Sequence, residues 1–283
     1  MRGKLMKYAT IRMTFIWYYN WIRSKQLDSL LKNAVKPSIA TVLFGLLLAA
    51  CSPRLEQRLA GIQLPAATSQ LLVVLASDWD SSSASLQRFE KQSQAWRAIG
   101  EPIPVRIGRN GLGWGLGLHQ AGKDGVQKQE GDGKAPAGLF ILGTAFGYAP
   151  TPPQSLRMPY RWASERDYFV DAVDSSAYNQ WQTIPIGQPN EPKQHWHSFE
   201  RMQRDDHQYE YGLVVGHNQS PITPGRGSAI FLHVWLNPDT PTSGCTAMSK
   251  DNLLTVLNWL KPEAQPLLIQ LPNAELDHLQ WAG

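Results

Sequence analysis

The sequence predicts a mainly β domain with a few helices, built as a β-sandwich or barrel. Two observations carry this expectation. From Gln70 onward the apolar residues fall in short runs of strand length, and glycine and proline, 23 and 20 of the 283 residues, punctuate them. Two segments carry a helical pattern, and one of those has a weak apolar face.

In chain order the strand candidates are LLVVLAS at Leu71 to Ser77, IPVRIG at Ile103 to Gly108, YFV at Tyr168 to Val170, YGLVVGH at Tyr211 to His217, AIFLHVWL at Ala229 to Leu236 and PLLIQLP at Pro266 to Pro272. The first helix is expected over Ser85 to Ile99, where Leu86, Phe89, Trp96 and Ile99 follow a loosely helical spacing. The second, Ser249 to Leu260, is better marked. Ser249 can cap it, Asp251 lies in its first turn, Leu253, Leu257 and Leu260 share a face, and Pro262 follows. The stretch GRNGLGWGLG at Gly108 to Gly117 lacks the P-loop and dinucleotide patterns, and no helical segment follows before Lys134. Tight turns and bulges are its expected use.

A net charge of +4 would point to a polyanion, but the charge is unevenly placed. Of 27 basic and 23 acidic residues, eight and one lie in residues 1–50, so the rest carries 19 against 22, a net of −3. No nucleic-acid partner is expected of the mature chain. Two lone cysteines, Cys51 and Cys245, form neither a disulfide framework nor a Cys-rich zinc site.

Ile39 to Ala50 is an uncharged run preceded by Lys32 and Lys36. It is too short to span a bilayer, which takes about 20 residues, and suits the apolar core of a secretory signal. Leu48-Ala49-Ala50-Cys51 resembles the bacterial lipobox, which implies cleavage before Cys51 and lipid on its sulfur. Ser52 in place of Asp implies an outer-membrane destination facing the periplasm of a Gram-negative envelope. The competing reading is a helix with a buried cysteine. The long basic flank, with FIWYYNWI at Phe15 to Ile22, does not fit a signal; a downstream start near Leu30 or Leu31 is the expected reason. The domain boundaries expected are 1–50 extension and signal, 51–69 lipidated cysteine and tether, 70–272 catalytic domain and 273–283 tail.

Alternation in AIFLHVWL puts Ile230, Leu232, Val234 and Leu236 on one face and Phe231, His233 and Trp235 on the other. Asn237 to Thr242 is a Pro-rich loop that can return Cys245 to the end of the same strand. A histidine beside a thiol serves as base or cation for a nucleophile. Gly244 lets the backbone bend so that the Gly244 and Cys245 amides face a developing oxyanion. On spacing alone, a buried cysteine and a core histidine stand equally open.

The segment GSAIFLHVWLNPDTPTSGCTAMS, Gly227 to Ser249, resembles the active-site region of the YkuD-type L,D-transpeptidases. EGDGKAPAGLFILG at Glu130 to Gly143, DYFVDAVDSSAYNQW at Asp167 to Trp181 and HSFERM at His197 to Met202 resemble further blocks of that family. The resemblance implies a β-sandwich catalytic domain without cofactor or metal. It implies a peptidoglycan stem peptide as substrate, with Cys245 as nucleophile, His233 as its base, and Ser243, Gly244 and Cys245 framing the oxyanion hole. A thioester forms as the terminal D-residue leaves, and an amine resolves it. This chain has Thr242-Ser243-Gly244-Cys245 where the family commonly has Ser-His-Gly-Cys, and Ala247 where an arginine is common.

Arg226 is a candidate for a substrate carboxylate, and Glu200 and Arg201 for shaping the donor site. His195, His197 and His207 have a spacing that could clip a metal, but surface or structural roles are expected. The reading is a monomeric, lipid-anchored envelope enzyme performing cysteine-dependent acyl transfer. Its rivals are a hydrolase of the same substrates and a non-catalytic wall-binding lipoprotein.

Overall fold

A computed structural model describes residues 51–120 and 125–283; the signal expected over 1–50 lies outside the described residues. Helix α1 (Cys51–Ala60) leads into β1 (Gln70–Ala76), β2 (Ser83–Gln92), β3 (Ala95–Arg106), β4 (Leu112–Trp114), β5 (Ala135–Gly147), β6 (Tyr160–Trp162), β7 (Asp167–Val170), β8 (Gln180–Thr183), β9 (Phe199–Arg201), β10 (Tyr211–Val215), β11 (Phe231–Val234) and β12 (Thr246–Met248). Helix α2 (Lys250–Trp259) and β13 (Leu267–Pro272) complete the chain's main elements. The domain is mainly β, as the sequence predicts. Among the described residues no helix is long and apolar enough to cross a membrane.

The main sheet runs β10-β11-β12-β3-β2-β1-β13-β5, and β5 pairs again with β10, so the hydrogen-bonded path closes on itself. Closure removes the exposed edges that a sheet of this size would otherwise present. β1 and β13 pair in parallel from Leu71↔Leu267 to Ala76↔Pro272, and all their residues but Leu75 are buried. Covered on both faces, they read as continuous apolar runs without alternation. A smaller sheet, β8-β7-β9, carries Phe169 into a second apolar cluster with Phe146, Met202, Tyr209, Phe231 and Cys245.

The helix expected over Ser85 to Ile99 is instead the β2–β3 hairpin. A register shift between Leu86 and Arg88 leaves Gly100, Glu101 and Pro102 of β3 opposite the single residue Gln87, so the bulge lies in β3. Leu86 and Phe89, three apart in a strand whose pairing with β1 is unbroken, point to opposite faces and are both fully buried, which imitates a helical spacing. Gln87 fills the bulge, its amide donating to the carbonyls of Arg88, Ile99 and Gly100. The turn falls on Ser93 and Gln94, both left-handed at φ 47° and 70°, the backbone of a two-residue hairpin but without its usual Asn or Gly.

Residues on both sides of the span 70–272 also meet the core. Within 54–69 Leu59 is fully buried, and Leu55, Ile62 and Leu64 pack on the same core. Arg58 bonds Asp277 and Asn273, and Glu56 accepts from Arg97 and the Ala98 amide. The tail expected over 273–283 is held as well, with Leu276 buried and the Ala282 amide donating to Leu118 O at 2.8 Å. Helix α2 forms as expected; Ser249 caps it by accepting from the Asn252 amide.

The Gly-rich stretch is a turn against the site. Gly111, at φ 76°, lies so close to Trp79 that a Cβ would meet its carbonyl oxygen at 2.0 Å. That turn lets the Arg109 amide donate to Thr242 O at 2.8 Å, joining the stretch to the residues before Cys245.

Candidate active site

Strand β11 follows the predicted alternation. Ile230 and Leu232 enter the main core, while Phe231 joins the second cluster and His233 packs edge-on to Tyr209 at 5.2 Å. β12 lies parallel to β11 with His233 opposite Ala247, so Cys245 stands two residues before the histidine's partner on the same face. Between the strands Asn237 Oδ1 accepts from the amides of Asp239 and Thr240 and closes the Pro-rich loop. Thr242 then fixes the motif. Its hydroxyl donates to Cys245 O at 2.6 Å and accepts from the Gly244 amide at 3.1 Å.

The Gly244 amide, expected to face an oxyanion, is thus engaged by Thr242 in this state. Gly244 is a position where a side chain is excluded: at φ 154° a Cβ would meet Lys134 O at 3.0 Å. Lys134 belongs to the Gly-Asp-Gly-Lys segment, which proves to be scaffold. Asp132 accepts from the amides of Gln129 and Lys134 and pairs with Lys128, and Lys134 Nζ donates to Asn110 O.

Cys245 and His233 are both nearly buried, at 8% and 4% exposure. The thiol Sγ donates to Ala229 O and accepts from the Phe231 amide, each at 3.3 Å. His233 Nδ1 lies 2.8 Å from Val234 O. A carbonyl only accepts, so Nδ1 carries the proton and Nε2 carries the lone pair. Burial pushes the Cys245 thiol up to about 12 and the His233 imidazole down to about 4. At neutral pH the pair is a thiol and a neutral imidazole, not a preformed thiolate–imidazolium. No hydrogen bond joins them in this state; the thiol is parked on Ala229, which is itself left-handed at φ 53°.

Cys245, His233, Ser243 and Gly244 line one cleft of about 440 Å³. Arg226 does not. Its guanidinium donates to Lys128 O and to Gln127 Oε1. Glu200 lines the cleft, whereas Arg201 lies over the Tyr168 ring. His197 pairs with Asp174 at the surface and His195 packs on Trp196. The side chain of Cys51 is outside the described residues.

The cleft holds residues that the sequence reading passed over. Arg204 pairs with Asp206 and with Glu200 and lies over the Tyr209 ring. The Asp206 carboxyl is held well below the usual range by its Arg204 bond. Burial pushes Glu200 and Asp171 up, and Asp171 Oδ1 is buried without a partner. Glu130 accepts from Tyr178 and Ser228 hydroxyls. These groups come from segments far apart in the chain, and no local spacing marks them.

A family model of the L,D-transpeptidase catalytic domain, YkuD, matches residues 78–269, more than half of the chain. Comparison with curated proteins and with solved structures gave no match. The matched span holds β2 to β12 and the Cys245–His233 cleft, and the chain belongs to the YkuD family of L,D-transpeptidase catalytic domains.

Proposed function

We propose that, within the L,D-transpeptidase-type peptidoglycan function its family gives, this chain performs acyl transfer through Cys245. The thiol swings from Ala229 O to His233 Nε2 and gives up its proton as Sγ attacks a stem-peptide carbonyl. The tetrahedral oxyanion is met by the amides of Gly244 and Cys245, the former released by Thr242. The leaving amine takes the proton from His233 and a thioester remains. An acceptor amine then gives its proton to His233, attacks the thioester and restores the thiol.

The observation that carries this reading is that His233, its Nδ1 held on Val234 O and its Nε2 therefore the basic nitrogen, lines one cleft with Cys245. The test is to incubate the protein with a carbapenem and then with tetrapeptide muropeptides, read by mass spectrometry. A covalent adduct lost in Cys245→Ala supports the nucleophile, and cross-linked product supports transfer. Trimmed monomer alone would move the reading to hydrolysis. Identical behaviour of wild type and Cys245→Ala would leave only a binding role.

We propose also a lipid anchor at Cys51 that holds the chain to an envelope membrane, on the outer-membrane side and facing the periplasm. Leu48-Ala49-Ala50-Cys51 behind its apolar run supports this. Labelled palmitate should enter the wild-type chain and not Cys51→Ala; an unlabelled wild type rejects the anchor.

A further inference from the structure

Three cations line the cleft: Arg109, Lys128 and Arg204. Two are already matched, Lys128 with Asp132 and Arg204 with Asp206 and Glu200. Among the described residues Arg109 has no carboxylate at ion-pair distance, although its side chain is exposed and lies on the nucleophile motif itself. Arg109 Nη1 donates to Ser243 Oγ at 3.0 Å, two residues before Cys245, and the Arg109 amide is fixed on Thr242 O. Only one of five guanidinium donors is thereby used. Gly133, at φ 69°, lies against the group; a Cβ there would come within 2.9 Å of Cζ, so the Gly-Asp-Gly-Lys loop leaves room for the fork.

Position 247 is the contrast. Ala247 sits opposite His233 in the β11–β12 ladder and is 1% exposed, so it brings no cation to the site face. A cleft that cleaves next to a carboxylate-bearing residue needs a group to hold that carboxylate. An unmatched guanidinium beside the nucleophile is suited to it, because Arg–carboxylate bonds are directional and charge-assisted.

We propose that Arg109 binds a free carboxylate of the donor stem peptide and thereby sets the scissile carbonyl over Cys245. This rests on the proposed function and deepens it by naming the substrate feature that is read. Thioester formation is measured by mass spectrometry on the full chain with three tetrapeptides: the free acid, its C-terminal amide, and the peptide amidated at the diamino-acid carboxylate. With wild type, one amidation should slow acylation by about 10- to 100-fold, the scale of a lost charged hydrogen bond. In Arg109→Gln that penalty should vanish because the free acid has become equally slow. In Arg109→Lys, which keeps the charge without the fork, part of it should return. Unchanged thermal midpoints would show that the fold is intact. Discrimination that persists in Arg109→Gln, or a wild type indifferent to both amidations, overturns the inference while leaving the proposed function standing. A wild type that forms no thioester with any of the three overturns both.

Discussion

The cleft has two linings of different construction. On the nucleophile side the thiol and the imidazole are uncharged, nearly buried, and held by main-chain groups: Ala229 O, the Phe231 amide and Val234 O. The charged lining is built from side chain on side chain, Arg204 with Asp206 and Glu200, Lys128 with Asp132, Glu130 with Tyr178 and Ser228. A single substitution removes a side-chain partner but leaves a main-chain partner in place. The difference teaches that the chemistry of this cleft is insulated from sequence change, whereas its charge pattern is open to it.

The strongest way to break the comparison is to replace the base on the nucleophile side. His233→Gln keeps the size and polarity at that position and removes the base. Acylation of Cys245 by a stem peptide should fall by roughly 10²- to 10⁴-fold, with the far-UV spectrum unchanged. A rate within tenfold of wild type would remove His233 from its role.

Next in size is the pH response of the thiol. With burial pushing Cys245 up to about 12, its reaction with iodoacetamide should rise about tenfold per pH unit from 7 to 9 without a plateau. A plateau near neutrality would mean a stabilised thiolate, and the main-chain side would no longer be the uncharged one.

His217 carries the main-chain mode of holding away from the cleft. Its Nδ1 accepts from the Leu116 amide and its Nε2 donates to Arg226 O, and burial lowers its pKa to about 4. The unfolded chain takes up a proton near 6.5 and the folded one only near 4, so stability is full above 6.5 and is lost as the pH falls toward 4. The loss is on the order of 3 kcal/mol for this group. Urea midpoints measured from pH 7 to 4 should fall less steeply in a folded His217→Gln variant.

The smallest effect sharpens the charged side. Arg204→Ala leaves Asp206 and Glu200 without their cation, yet about a third of the Arg204 side chain is exposed. Solvent screening keeps the stability loss to about 1 kcal/mol. Because no main-chain partner replaces the guanidinium, acylation kinetics should change in KM while kcat is kept. A loss confined to kcat would show the two linings to be one unit.

What could be read from the sequence was what neighbours in the chain decide. The alternation in β11, the cap at Ser249 and the Thr242-to-Cys245 motif are each complete within a few residues. The β2–β3 hairpin was hidden because both faces of β2 are covered, so Leu86 and Phe89 are buried three apart on opposite faces, and because its turn used Ser93 and Gln94. In residues 51–69 a usable signal did exist: Leu55, Leu59 and Ile62 follow helical spacing, and all three meet the core. The charged lining was out of reach, since Arg109, Glu130, Asp171 and Arg204 converge only through the folded sheets. Arg226 shows the converse, a cation near the catalytic strand in sequence whose fork is drawn to Lys128 O.

The clamp between the first helix and the chain's end bears on where such an enzyme works. A free segment from 52 to 69 would let the domain range about 60 Å from its attachment point at full extension. With Leu55 already seated on the core, the slack between it and Cys51 is about 14 Å of extended chain at most. A lipid at Cys51 would therefore act as a rivet, not a leash. The reach of the cleft would then be set by the size of the domain and not by a tether, and stem peptides deeper in the wall would have to come to it.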